Sequence, residues 1–376
     1  AALGVTQARD LGLGFEFAGV VSAIGTAVTK LAVGDRVMGL ATLEGAFASY
    51  VTLPAPQMTA IPDHITDEQA ATIPMAFLTA WYGLVELARL QPGERVLIHA
   101  AAGGVGQAAV QIAHALGAEV IGTASPSKWE ILRQQGVAHV LNSRTHEFSE
   151  EILRLTDGAG VDVVLNSLNG DFIERSFAAL GQQGRFVEIG KLGIWSHAQV
   201  AQVHPDVTYY PFDLGEAMMQ DPTLQARLWA AITARLTDQT LQPLPHVRFP
   251  RQETVAAFRY MQQAKQIGKI VVNFDQAAPV VIRNDASYLI TGGLGALGLH
   301  MAQQLVADGA RHLILTGRQG VTTAAQQTML DALTAAGATL TIIQADIANG
   351  DAVHALIDQC TAVAPLRGIV HTAGVL

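Results

Sequence analysis

Two glycine-rich turns in this 376-residue sequence have the residue types and spacing to hold phosphate. In VLIHAAAGGVGQAAVQIAHALGAEV an apolar strand enters AAGGVG, and Val105, Ala108, Ala109, Ile112 and Leu116 then recur at helical spacing. Gly103 and Gly106 match the second and third glycines of a dinucleotide fingerprint, which admit a pyrophosphate and let the helix pack tightly; Ala101 replaces the first. With Gly104 and Val105 they open a helix whose N–H groups and dipole favour an anion. The bland alternative is a strand-to-helix turn with no ligand. The preceding strand and the following helix favour the nucleotide reading.

About 20 residues past such a loop, an unphosphorylated ribose is usually met by a carboxylate. This chain has GTASPSKW there instead. Ser125, Ser127 and Lys128 can donate to a 2′-phosphate, and Arg144 in LNSRTHEF adds a second cation. Each alone reads equally well as a solvated surface residue. Together they favour NADPH. Lys191, in VEIGK, sits just beyond an expected strand, at the edge where α/β sheets bind ligands; its bland reading is a surface lysine. Asp213, before LGEAMM, suits a helix cap.

The elements that position these residues fall into regions. Residues 15–53 alternate short runs (FEFAGVVSAIG, LAVGDRVMGL, GAFASYVTL) with turn signals, as expected of a small antiparallel or barrel-like unit, and Thr66 is a plausible cap for the helix after it. From about Pro92 strand–helix units follow: RVLIHAA, AEVIGTA, VDVVLNS, RFVEIG and VTYYPF, with helices between them. Repeated βα units predict a parallel, doubly wound sheet. ARLWAAITARL, LQPLPHVRFP, ETVAAFRYMQQAK and GKIVVNF read as a return segment that completes the first unit, leaving the nucleotide domain inserted between its halves. QAAPVVIRNDAS is a linker, and a second βα series starts at Tyr288.

Composition bounds the partners. A net charge of −9, 15% charged residues and no Lys/Arg cluster argue against a nucleic-acid or anionic-membrane surface. No apolar run is expected to reach the roughly 18 residues of a membrane span. The single cysteine, Cys360, excludes an intrachain disulfide and a multi-cysteine metal site, which fits a reducing, cytoplasmic setting. The opening AALGVT, with no basic leader, reads as a piece of something longer. The 12 histidines show no HExxH spacing, His99 reads as a satisfied buried polar group, and no GxSxG elbow supports acyl hydrolysis.

GFEFAGVV, VGDRVMG, AAGGVGQAAVQIA, VDVVLNSLNG, GRFVEIGK and YPFDL, in this order, resemble the enoylreductase domain of modular polyketide synthases and animal-type fatty acid synthases, the zinc-free branch of the medium-chain dehydrogenase/reductase superfamily. The resemblance covers about residues 1–275. Where zinc alcohol dehydrogenases carry a His-Glu pair this chain has Gly14-Phe15-Glu16, and their cysteine ligands have no counterpart, so a tetrahedral zinc site is not expected. The resemblance implies NADPH-dependent reduction of a trans-α,β-enoyl thioester on the phosphopantetheine of an acyl carrier protein. It implies Lys191 and Asp213 in protonation or enolate stabilisation, and Asn166 and Gly190 among the cofactor-binding residues. The family's stereochemical tyrosine would precede ALGVT; Tyr50 and Tyr82 do not replace it.

TGGLGALG, the strand ending in Thr316-Gly317-Arg318, QADIAN and IVHTAG resemble the short-chain reductase fold of polyketide ketoreductases. That resemblance implies a phosphate turn of Gly292, Gly295 and Gly298, with Arg318 at the 2′-phosphate and Asp346 near the adenine. The family's catalytic Ser and Tyr lie beyond HTAG, so ketoreduction by this stretch is not expected. The fold class is therefore α/β: a Rossmann-type doubly wound sheet (77–225) inserted in a GroES-like β-rich substrate domain (1–76 and 226–276), a linker (277–286), and a truncated second Rossmann-like unit (287–376). Other polyketide synthase domains are the expected partners. A free-standing quinone or enone reductase, a domain redirected to cyclopropane formation, and a non-catalytic NADPH-binding piece remain open.

Overall fold

The structure, a computed structural model, describes residues 12–41, 45–274 and 281–374. The chain divides into two compact units, Ala1–Asp275 and Gln276–Leu376. The start of the expected substrate domain (residues 1–11) and linker residues 277–280 lie outside the described residues.

The first unit begins with three antiparallel strands, β1 (Glu16–Val20), β2 (Arg36–Leu40) and β3 (Met58–Ala60), in the order β1-β2-β3. The third strand is not GAFASYVTL, as its alternation predicts. Gly45 takes a positive φ of 81°, and Ala46 and Phe47 donate to the carbonyls of Gly14 and Leu13 instead of joining the ladder. Thr66 caps the next helix and shares a reciprocal capping box with Gln69.

Contrary to the expectation of no such run, Asp67–Leu87 is long and apolar enough by length and composition to cross a membrane. Asp67, Glu68 and Pro74 hide it in the sequence. It is nonetheless 67% buried inside the fold, and Phe77, Leu78 and Leu84 share one core cluster with Met38, Val96 and Ile112.

Six parallel strands follow: β4 (Arg95–Ile98), β5 (Glu119–Ala124), β6 (His139–Asn142), β7 (Val161–Asn166), β8 (Leu180–Glu188) and β9 (Thr208–Pro211). Their order is β6-β5-β4-β7-β8-β9, so the chain winds outward from β4 one way and then returns to build the other. Alternate side chains explain the two helical layers. Val96, Ile98, Val163 and Val187 enter one core, whereas Leu97, Val164 and Phe186 enter the core on the opposite face. The return segment supplies β10 (His246–Pro250) and β11 (Lys269–Asn273), a parallel pair joined through the helix Thr254–Gln262. Gly268 donates its N–H to the carbonyl of Ala102 at 2.9 Å, pinning this segment to the first glycine turn.

The second unit holds β12 (Ser287–Thr291), β13 (His312–Gly317), β14 (Thr339–Gln344) and β15 (Leu366–His371), all parallel, in the order β14-β13-β12-β15. Tyr288, Ile290, Leu313 and Leu315 face one core, Leu289 and Ile314 the other. Both units are thus mixed α/β with parallel sheets, and the first adds a small antiparallel sheet.

The two glycine turns are the same object. Gly103 N–H reaches the carbonyl of Ala100 (2.8 Å) and Ala101 N–H that of Thr123 (2.9 Å); Gly295 reaches Gly292 (2.9 Å) and Gly293 reaches Thr316 (3.0 Å). A Cβ on Gly106 would stand 2.4 Å from the Ala100 oxygen, and one on Gly298 would stand 2.4 Å from that of Gly292. The matching positions are therefore 100-103-106 and 292-295-298. The residue in the first glycine's place is Ala100, not Ala101: Ala100 takes φ 47° where Gly292 takes 67°, and Ala101 is a wholly buried residue of the turn.

Gly106→Ala should therefore push helix from strand and cost about 1–3 kcal/mol. Ala100→Gly relieves about 1–2 kcal/mol of left-handed strain, offset by about 0.5–1 kcal/mol of added backbone entropy in the unfolded chain. Denaturant titration of the two variants should give opposite signs, the second small.

Candidate active site

The sequence builds the site by ending several strands at one edge. β4 runs into the Ala100–Gly103 turn, and the 12-residue helix Gly104–Ala115 starts there with Gly103 as its N-cap and no side chain capping it. Its first N–H groups and positive dipole end point along the C-terminal edge of the sheet. Bare Cα atoms at Gly103 and Gly106 leave the backbone open to a pyrophosphate. Gly104 is covered from one side: a Cβ there would lie 2.8 Å from Cδ of Lys269. The Lys269 ammonium pairs with Glu16, which also accepts the Met75 N–H at 2.9 Å. Sequence reasoning missed Lys269 because its chain position is remote from the loop it covers. The cradle fits a nucleotide diphosphate.

Ser125, Ser127 and Lys128 follow β5 and Arg144 follows β6, the adjacent strand, so the four expected 2′-phosphate residues share one corner. The Ser125 and Ser127 hydroxyls lie 3.4 Å apart, and Arg144 is exposed. Lys128 differs from expectation. Its ammonium is not presented bare, but donates to the carbonyls of Ala264 (2.8 Å) and Gln266 (2.7 Å). Burial, with the Arg144 charge nearby, lowers its pKa. Lys128 thus ties the nucleotide layer to the return segment, with one N–H left over. Nothing local in GTASPSKW signals this contact, which spans 136 and 138 residues of chain.

Lys191 lies in the turn after β8, and Asp213 follows β9. The Lys191 ammonium meets Asp213 Oδ2 at 2.8 Å and donates to the carbonyl of Phe212 at 3.1 Å. Asp213 also caps the helix Leu214–Gln220, accepting the Glu216 N–H at 3.0 Å. The bland and the chemical readings of Asp213 therefore hold together: one carboxylate oxygen serves the helix and the other the ammonium. Burial works against its charge, but the hydrogen bond from Lys191 and those from the Glu216 and Gly215 backbone hold its pKa below the ordinary value.

Beneath this pair sits a carboxylate that sequence reasoning did not single out. Glu188, the last residue of β8, is wholly buried beside its register partner Asn166 at the end of β7. Its Oε2 accepts the Asn166 amide at 2.7 Å and its Oε1 the Gly190 N–H at 2.6 Å. Burial pushes its pKa up to about 7, despite those hydrogen bonds and the charge of Lys191. Asn166 commits its remaining polar groups to Leu168, donating to its carbonyl at 2.9 Å and accepting its N–H at 3.1 Å. The side chain expected to meet a cofactor is therefore fully engaged within the protein, with Glu188 and Leu168. Gly190 stays small because a Cβ would lie 2.7 Å from Glu188 Oε1. The signal in the sequence is an acidic residue closing an otherwise apolar strand end, FVE.

His99, at the end of β4, is buried between the hydroxyls of Thr123 (2.9 Å) and Ser176 (2.8 Å), and burial lowers its pKa to about 3. It is a neutral, satisfied core group. Among the described residues no three His, Cys, Asp or Glu side chains gather to hold a metal. With Glu16 committed to Lys269 and Met75, the residues present do not fit a tetrahedral zinc centre. In the second unit the Gly292–Gly298 turn opens the helix Ala296–Ala307, Arg318 follows β13, and Asp346 follows β14. Arg318 is exposed, and Asp346 accepts the Ala348 N–H at 3.1 Å.

Comparison with known proteins matches three family models: an alcohol dehydrogenase GroES-like domain over residues 3–63, a zinc-binding dehydrogenase over 104–232 and a KR domain over 286–376. The whole chain is 45% identical to the polyketide synthase GfsB of Streptomyces halstedii, and 97% of it is 43% identical to the pikromycin polyketide synthase component PikAII of Streptomyces venezuelae. It spans 6% and 10% of the lengths of those relatives. Among solved structures, the CurK enoyl reductase is 55% identical with a TM-score of 0.68, over 70% of this chain and 79% of that one. The CurF ER cyclopropanase from the curacin A pathway is 47% identical with a TM-score of 0.69, over 72% and 81%. Mycobacterial Rv1454c complexed with NADPH is 28% identical with a TM-score of 0.63, over 69% and 81%.

Glu188 carries a pH signature. Its folded pKa of about 7 exceeds its ordinary 4.5, so the folded state holds a proton that the unfolded chain has released. Stability from this group is full below pH 4.5 and is lost as pH rises through 7, about 3 kcal/mol in all. Urea unfolding of Glu188→Gln against wild type should show the wild type losing ground across that window and a flat difference above it.

Proposed function

The chain belongs to the enoyl reductase family of modular polyketide synthases, and from that premise we propose that its first unit uses NADPH to reduce a trans-α,β-enoyl thioester. The thioester would be carried on an acyl carrier protein of the same synthase, with the other synthase domains as partners. The observation that carries this reading is the Lys191–Asp213 pair, set on the same strand-end edge as the glycine cradle.

Gly103, Gly104, Val105 and Gly106 would hold the diphosphate, and Ser125, Ser127, Arg144 and the last N–H of Lys128 the 2′-phosphate. The chemistry that bound NADPH supplies is a hydride for Cβ of the enoyl group. As Cβ gains it, the π pair moves through Cα onto the thioester oxygen. An ammonium at Lys191 stabilises that developing charge and gives its proton to Cα, which leaves the saturated thioester and a neutral amine that water reprotonates. Asp213 orients the ammonium from the other side. The carboxylate stays paired, its pKa held below the ordinary value, and so keeps a fixed partner for the ammonium.

A second reading rests on the 47% identity to the CurF ER cyclopropanase. With a halide on Cγ, the same enolate would close a three-membered ring by displacing halide instead of taking a proton. Only the proton transfer is then idle, so the two readings differ in their need for a proton from Lys191 and share the need for its charge.

Crotonyl-pantetheine and NADPH test the proposal. The expected result is NADPH loss matched by butyryl-pantetheine, with NADH poorer by about 10²-fold in kcat/KM from the missing 2′-phosphate contacts. Lys191→Ala should lower kcat by about 10²-fold or more. Asp213→Asn, which keeps a competent cap, should lower kcat with little loss of stability. Unchanged turnover in both variants would remove the pair from the mechanism.

A further inference from the structure

Glu188 is a hub as well as a buried carboxylate. Its side chain takes the Gly190 N–H and the Asn166 amide, while its backbone carbonyl accepts the Phe212 N–H at 3.2 Å. One residue thereby fixes both ends of the Lys191 contact: the turn that carries Lys191, and the strand end whose Phe212 carbonyl and Asp213 carboxylate receive the ammonium. We propose that Glu188, held by Asn166, is the positioning residue that aims the Lys191 ammonium at the reacting enolate. The inference rests on the reduction proposed above only for what Lys191 does, not for how it is held.

The surroundings leave this carboxylate few alternatives. It is fully inside the protein, so it cannot reach a thioester. Lys191 is the cation whose charge it feels, and Tyr209 on β9 is the phenol that feels its charge in turn, with its own hydroxyl donated to the Trp195 carbonyl at 2.9 Å. Phe212 is held independently by an edge-on contact with Tyr82, ring centres 5.0 Å apart. A carboxylate buried against so large a desolvation penalty, without touching solvent, needs a function in the arrangement of its neighbours. Here the neighbours are the backbone N–H of Gly190, which loses its acceptor without it, and the amide of Asn166, which keeps only the Leu168 carbonyl.

The donor–acceptor pattern gives the test. In Glu188→Gln the new amide faces the Asn166 amide, donor against donor. In the double variant Glu188→Gln/Asn166→Asp, the introduced glutamine can accept from the Gly190 N–H through its carbonyl oxygen while its amide donates to the introduced aspartate; the Leu168 N–H keeps an acceptor and only the Leu168 carbonyl loses its donor. The full-length polypeptide carrying this sequence would be reductively methylated with 13C, and the Lys191 signal identified by its loss in Lys191→Arg. In Glu188→Gln the Lys191 resonance should move toward those of exposed lysines and kcat with crotonyl-pantetheine should fall about tenfold, with KM for NADPH unchanged. The double variant should restore most of both, short of the lost bond to the Leu168 carbonyl.

An unmoved resonance with unchanged kcat in Glu188→Gln would overturn the inference. So would a loss that the double variant leaves in place and that tracks thermal stability, since Glu188 would then be a structural residue only. A wild type that moves no hydride to the thioester would defeat the functional proposal, while the Lys191 resonance in the two variants would still decide the positioning.

Discussion

The bare Cα of Gly106 lying against the Ala100 carbonyl is the contact on which the rest of the first unit depends. It brings the helix Gly104–Ala115 close enough to β4 for the helix N-terminus to open at the strand-end edge, with no side chain capping it. Once the edge is set, the order β6-β5-β4-β7-β8-β9 distributes the remaining groups along it. The ends of β5 and β6 gather serines and cations on one side of the turn. Those of β7, β8 and β9 gather Asn166, Glu188, Lys191 and Asp213 on the other. The second unit repeats the contact at Gly298 and Gly292, which shows how little of the geometry depends on the surrounding sequence.

Within the site, exposure separates the groups that can meet a substrate from those that support them. Lys191 and Asp213 are part-exposed, while Glu188 and Asn166 are sealed beneath them. Desolvation of the sealed pair is opposed by its hydrogen bonds and by the charge of Lys191. Lys128 and Lys269 follow the same logic at the other end. Each cation is held by the return segment or by Glu16, so the nucleotide layer and the β-rich layer meet through ion pairs and carbonyls around the cradle.

Much of this was legible in the sequence where the signal is local. Alternating strand–helix rhythm gave the parallel sheets, the glycine spacing gave both turns, and Asp213 before LGEAMM gave a cap that the structure contains. Misreadings came where local and tertiary demands compete. GAFASYVTL alternates like a strand, but a positive φ at Gly45 and bonds to Gly14 and Leu13 take it out of the ladder. Ala100 hides the first turn position because an alanine there accepts a backbone that glycine would adopt freely. The commitments of Lys128 and Lys269 were invisible because their partners come from distant segments, and no periodicity encodes a contact across 138 or 253 residues. Glu188 and Asn166 are closer in sequence, but they meet only once β7 and β8 pair in register.

Where hydride and proton land tests the central claim most directly. Mass spectrometry and NMR of the product formed from an enoyl thioester and C4-deuterated NADPH in ordinary water would locate each hydrogen. The account predicts one deuterium at Cβ and none at Cα, and the reverse pattern, deuterium at Cα alone, when the reaction is run in heavy water with unlabelled cofactor. Deuterium from the cofactor at Cα, or a product that acquires no hydrogen from the cofactor, would contradict it.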